Sequence, residues 1–224
     1  MTTPESPSQS LTRMLAEAVA AADVSAMVRS AADTALPVVL LFGSRGLPCA
    51  LDRTAIQAWL TAAGIDATVD ATAADNANGR TRALEIVLSD STAGQRLADQ
   101  LLAPVLHAQD SATRLRAALD PLDLSAEVVP VRRGSVTVNL SDPDDLRSAI
   151  TLAAALGVDD IVGGLDLVRA EGQNALAGRM KQLLIGIVGA GVMVEATPDC
   201  VHAEADITLT LSADQALRLT ERLT

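Results

Sequence analysis

Aromatic side chains are almost missing from this chain: Phe42, Trp59 and no tyrosine among 224 residues. A core without rings has to be built from Ala, Val, Leu and Ile, with close backbone approaches at Ala and Gly. Single-stranded nucleic acid is usually gripped on stacking rings, and any nucleic acid needs clustered positive charge. Neither is present, because 28 Asp and Glu outweigh 17 Lys and Arg for a net charge of −11 and no basic run occurs. No nucleic-acid partner is expected, and an anionic membrane surface is disfavoured by the same charge. Cysteine is scarce too: Cys49 and Cys200 lie far apart and make no disulfide framework. The longest uncharged apolar run, Leu183 to Val194, falls short of the ~20 residues that span a bilayer. Thr2 to Pro7 lacks the basic start and apolar run of a signal peptide. The expectation is a soluble, cytoplasmic protein with no membrane association.

What is present is apolar alternation. Hydrophobic residues make up 49% of the chain, enough for a sizeable core. Glu85-Ile86-Val87-Leu88-Ser89-Asp90 returns in kind as Val136-Thr137-Val138-Asn139-Leu140-Ser141-Asp142, and again as Asp206-Ile207-Thr208-Leu209-Thr210-Leu211-Ser212. Each is a period-two run ending in Leu-Ser before a helix-patterned segment. Alternation specifies a half-buried strand, and a Ser or Asp oxygen suits the first free N–H groups of a helix. The spacing predicts an α+β fold of antiparallel β-hairpins covered by helices, in three αββα-like units.

The expected organisation follows the chain. Residues 1–9 read as a disordered leader. Residues 10–36 read as a helical arm of two segments, with Leu11, Met14, Leu15, Ala18 and Val19 in the first and Val24, Met27, Val28 and Ala31 in the second. Residues 37–110 form the first αββα unit with an added strand at Val38 to Phe42. Asp52 caps its first helix and Gly64 ends it. Its hairpin turns near Asn78-Gly79, and its last helix stops near Pro104. Residues 111–157 form the second unit, turning at Arg133-Gly134, with Pro143, Asp144 and Asp145 opening a helix. A linker over 158–173 carries a strand at Leu165 to Val168. Residues 174–224 form the third unit, turning at Thr197-Pro198-Asp199, with Ser212 and Gln215 as a capping box.

Several motifs touch chemistry. Leu41-Phe42-Gly43-Ser44-Arg45 resembles the start of the minimal nucleotidyltransferase motif, which implies a phosphate-holding role for Gly43, Ser44 and Arg45. That family's Asp-x-Asp metal pair is replaced here by a single carboxylate, Asp52, and two-metal catalysis needs the pair. Ile185 to Met193 resembles a dinucleotide fingerprint, but Val194 stands at its third glycine and no helix pattern follows. Cys200-x-His202 offers two metal ligands where structural zinc takes four. Asp144-Asp145 suits a helix N-terminus, and Asp159-Asp160 reads as solvated loop charge. Leu60-x-x-Ala63-Gly64-Ile65-x-Ala67-x-Val69 resembles the helix-to-strand junction of ring-building domains in secretion and flagellar assemblies, which implies side-by-side association.

The functional expectation is a non-enzymatic structural or assembly protein that associates with itself or a protein partner. The helix from Asn174 to about Gly189 is apolar on nearly every side, and such a helix must be buried somewhere. The contact residues expected from it are Met180, Leu184 and Ile187, joined by Leu11, Met14 and Leu15 of the N-terminal stripe. An alternative is a small-molecule-binding regulatory domain, and a third is a nucleotidyltransferase-like enzyme. No cofactor and no metal site are expected.

Overall fold

The computed structural model describes residues 7–30, 36–76, 79–131, 134–141, 146–197 and 205–224. The fold is α+β, and the chain divides into two units, Met1–Val105 and Leu106–Thr224. Each holds one four-stranded antiparallel sheet.

The first unit opens with helix α1 (Pro7–Ala21), starting inside the stretch expected as a leader; proline is favoured in a helix's first turn. Leu11, Leu15, Ala18 and Val19 form its buried stripe. Asp23, at φ 51°, ends the helical path, and β1 (Ala26–Ser30) follows where a second helical segment was expected. Val24, Met27 and Val28 fit helical spacing, but Val24, Ala26 and Val28 also alternate. Pairing decides between them: β1 runs antiparallel to β2 (Pro37–Leu41), with Ala26 opposite Leu41 and Val28 opposite Val39. Strand β2 is buried along its whole length, as its unbroken apolar run requires.

Helix α2 (Arg53–Ala62) is capped by Asp52, whose Oδ1 accepts the Ala55 N–H at 2.9 Å, and Gly64 takes φ +67° just beyond it. Strands β3 (Ala67–Asn76) and β4 (Gly79–Leu88) form the long hairpin, giving the order β1-β2-β4-β3. Asn78 of the expected turn lies outside the described residues. Val39, Leu41, Val69, Ile86 and Leu88 pack with Ile56, Leu60, Leu97 and Leu101 as one core.

Helix α3 (Ser91–Leu119) does not stop at Pro104. Proline withdraws the N–H that would bond the Gln100 carbonyl, at a cost of about 3 kcal/mol. Burial of Leu97, Ala98 and Leu101 before it and of Ala108, Ala112 and Leu115 after it outweighs that cost. The short helix expected at Leu115 to Leu119 is therefore the end of α3, and Pro121 falls in a 3-10 turn, Asp120–Leu122.

In the second unit β5 (Ala126–Val131) pairs with β6 (Ser135–Ser141), and α4 (Arg147–Ala155) follows. Arg133 and the helix-opening residues Pro143, Asp144 and Asp145 lie outside the described residues. No strand forms over 165–168. That segment is a turn whose carbonyls serve α5 (Ala170–Val188) instead: Gln173 Nε2 donates to the Leu167 carbonyl at 2.9 Å. The Arg179 guanidinium donates to the carbonyls of Ile161 and Gly163 at 2.7 and 3.0 Å. Strands β7 (Met193–Thr197) and β8 (Asp206–Ser212) complete the sheet, in the order β5-β6-β8-β7. Pro198 and Asp199 of the expected turn lie outside the described residues.

The second and third expected hairpins thus share one sheet, while the first pairs with β1 and β2. Ile207, Leu209 and Leu211 alternate inward as the pattern requires. Helix α6 (Ala213–Leu223) carries the expected box: Ser212 Oγ accepts the Gln215 N–H, and Gln215 Oε1 accepts the Ser212 N–H at 2.8 Å. Ser212→Ala removes one partner of that box and is expected to cost about 1 kcal/mol, read as a lower denaturation midpoint of the full chain.

Candidate functional site

The expected contact residues do not lie on a surface. Leu11 and Leu15 are buried in the first core, with Met14 packed against it. Met180 and Leu184 are fully buried in the second core, and Ile187 packs on its edge. The chain does bury its most apolar helix, with one face inward (Gln173, Leu176, Ala177, Met180, Leu184, Val188) and Lys181, Gln182 and Gly186 exposed. The physical reason is depth. Four strands, α4 and α6 give α5 enough apolar surface within its own unit.

The Gly-Ser turn after β2 has a structural use. Phe42 N–H donates to the Ser25 carbonyl at 2.8 Å, and Ser25 N–H donates to the Arg45 carbonyl at 3.2 Å. Gly46 sits at φ +72°, where an added Cβ would lie 2.8 Å from the Ala22 carbonyl oxygen and 2.9 Å from that of Asp23. Gly43 likewise backs onto Ser25, while Ser44 and Arg45 point to solvent. Asp52, the carboxylate that follows, is engaged as the α2 cap.

Nearby Cys49 is a free, half-buried thiol. Burial first, and the Asp52 carboxylate second, push its pKa up. A raised thiol holds less thiolate at neutral pH, and the thiolate is the nucleophile. Alkylation of Cys49 in a Cys200→Ser chain is therefore expected to lag behind a free thiol at neutral pH and catch up only at strongly alkaline pH. The stability that the protonated thiol contributes is present below the ordinary thiol range and fades as pH rises through the raised value.

His107 Nε2 and Asp214 Oδ1 lie 2.8 Å apart on an exposed face of the second unit. The Ser111 hydroxyl, one turn on, does not extend the pair, since it donates to the His107 carbonyl at 2.8 Å. Among the described residues no group of three or more His, Cys, Asp or Glu is placed to hold a metal ion. Cys200 and His202 lie outside those residues. No described helix is long and apolar enough to cross a membrane.

One concavity in the first unit combines depth with chemistry, and the strand lengths create it. Strand β2 pairs with β4 only over Leu84 to Val87, yet β4 and β3 run on together for ten residues each. The hairpin overhangs its sheet. Along the overhang Ala71 faces Leu84, Thr72 faces Ala83 and Ala73 faces Arg82. Leu51, anchored by the neighbouring Asp52 cap and packed on the first core, reaches the same place. These seven residues line an open groove of about 500 Å3, within the ~300–1,000 Å3 of small-molecule sites. Ala71 and Ala73 keep it open on the face they share with Leu84 and Arg82, since larger side chains would fill it. Arg82 is the one charged residue among the described lining, and no described carboxylate pairs with it, whereas Arg29 and Arg53 are held by Glu85 at 2.9 Å and Asp70 at 3.2 Å.

Alternation of Ala67, Val69 and Ala71 with Asp66, Thr68 and Asp70 marks a half-exposed strand, and it carries no expectation for Leu51, Ala73, Arg82 or Ala83. The signal was there in strand length: a ten-residue hairpin beside a five-residue partner must overhang. Gly43, Ser44 and Arg45 do not line the groove. The chain matches no protein-family model, and no curated protein or solved structure matches it.

Proposed function

We propose that the chain is a non-catalytic small-molecule-binding protein of the regulatory kind, with its ligand site in the groove of the first unit. The observation that carries this reading is an open, largely apolar lining that ends at an arginine with no carboxylate partner among the described residues. Apolar walls supply affinity by burial, and a single polar group fixes orientation. The described residues offer no constellation that would turn binding into catalysis. Thermal-shift screening of the full chain against small metabolites, nucleotides and amphiphiles tests it. A ligand at a hundredfold excess over its Kd adds about 2.7 kcal/mol, enough to raise Tm by several degrees. A reproducible shift with one chemical class is the expected result. A flat response across all classes would remove the reading.

Association is a second reading, now on different residues. Strands β5 and β7 are edges of their sheet, and Val129, Val131 and Met193 are exposed on them. Edge strands with apolar side chains invite pairing with another chain. Light scattering coupled to size exclusion is expected to give a dimer or larger species under this reading. A monomer at micromolar concentration counts against it.

A further inference from the structure

We propose that the ligand is an aliphatic monocarboxylate, its chain laid along Ala71, Ala73 and Leu84 and its carboxylate on Arg82, all on one face of the hairpin; this rests on the groove reading above. Three features of the lining select that class. First, none of the seven lining residues is aromatic, so nothing offers a stacking face to a nucleobase or a flat ring. The walls are methyl groups and leucine side chains, which reward burial of a saturated chain. Second, Arg82 presents a planar fork that matches a carboxylate in two parallel hydrogen bonds, and it has no described carboxylate to compete. Third, the described lining holds one positive charge, Arg82, and so neutralises one negative charge. A phosphomonoester or dicarboxylate would carry a second charge into an apolar wall on a chain of net −11.

Isothermal titration of the full chain with hexanoate, octanoate and decanoate, and with 1-decanol as the uncharged control, tests the proposal at physiological ionic strength. Affinity is expected to rise about threefold per added methylene until the groove is full. Decanoate should bind about tenfold more tightly than decanol, a difference of about 1.4 kcal/mol. Arg82→Gln should erase that difference and leave decanol unchanged, and Arg82→Lys should restore only part of it, because the charge returns without the fork. Ala73→Phe, at an exposed strand position, should fill the groove and weaken both ligands while Tm holds. Equal binding of decanoate and decanol, with Arg82→Gln silent, would overturn the carboxylate assignment and leave the groove standing. Binding that ignores Ala73→Phe would place the site elsewhere and overturn the proposal. Failure of all four ligands to bind overturns the proposal; the groove reading then falls only if the wider screen is also flat.

Discussion

Leu184→Ala is expected to cost the second unit about 2–5 kcal/mol, and Leu15→Ala a similar amount in the first. Both side chains are fully buried among leucines, valines and alanines. Truncation removes three heavy atoms of packing and leaves a cavity that the surrounding strands and helices fill only in part. Against a total of about 5–15 kcal/mol for an ordinary domain, such a loss moves the denaturation midpoint far. Denaturant titration followed by circular dichroism reads it directly. If these leucines were instead contact residues for a partner, the isolated chain would keep its midpoint after substitution and lose only its complex.

That contrast also shows where sequence legibility ended. Apolar periodicity marked Leu11, Leu15, Met180 and Leu184 as side chains that need burial, expected at a contact with another chain, and they are buried within their own units. It did not say against what. A helix apolar on many sides needs either a partner chain or a deep enough home unit, and only the joining of two hairpins into β5-β6-β8-β7 supplied the depth. The three Leu-Ser anchors have the same history. Ser89 and Ser212 each close the inner strand of a unit's last hairpin, whereas Ser141 closes β6, whose counterpart β2 ends at Leu41 without that pair. Local pattern resolved hairpins. Which hairpins share a sheet is decided by long-range pairing, which local pattern does not contain. The swap of helix for strand over Ala26 to Ser30 has a similar cause, since a segment of only five residues satisfies both periods until a partner strand chooses one.

Gly46→Ala is expected to destabilise the first unit by about 2–4 kcal/mol. Two costs coincide there. A non-glycine residue at φ +72° is strained, and its Cβ would press on the Ala22 and Asp23 carbonyl oxygens and the Val24 Cα, all within 2.9 Å. Those are backbone atoms, so relief requires moving the α1–β1 turn and not a flexible side chain. Ser44→Ala and Arg45→Ala, whose side chains are exposed, should stay within about 0.5 kcal/mol of the parent. The same three variants separate the two uses of the Gly-Ser turn. As a structural clasp against Ser25, the loop is sensitive at Gly46 alone. As a phosphate cradle, it would lose nucleotide affinity on Ser44→Ala or Arg45→Ala with stability intact.

The groove was the least legible feature, for a physical reason. A binding cavity made by alanines is defined by volume that side chains leave empty, and sequence reports the side chains that are present. Ala71 read as an ordinary apolar strand position, and nothing in the pattern marked Ala73 or Arg82. Only the overhang of β3 and β4 beyond β2 turned them into a lined space with one charged end.

Methyl NMR of the full chain, titrated with decanoate, tests that space most directly. The account predicts saturable shifts concentrated on the methyl groups of Leu51, Ala71, Ala73 and Leu84, with the buried methyls of Leu176, Leu184 and Leu209 unmoved. Shifts spread over both cores, or confined to the exposed Val129, Val131 and Met193, would contradict it.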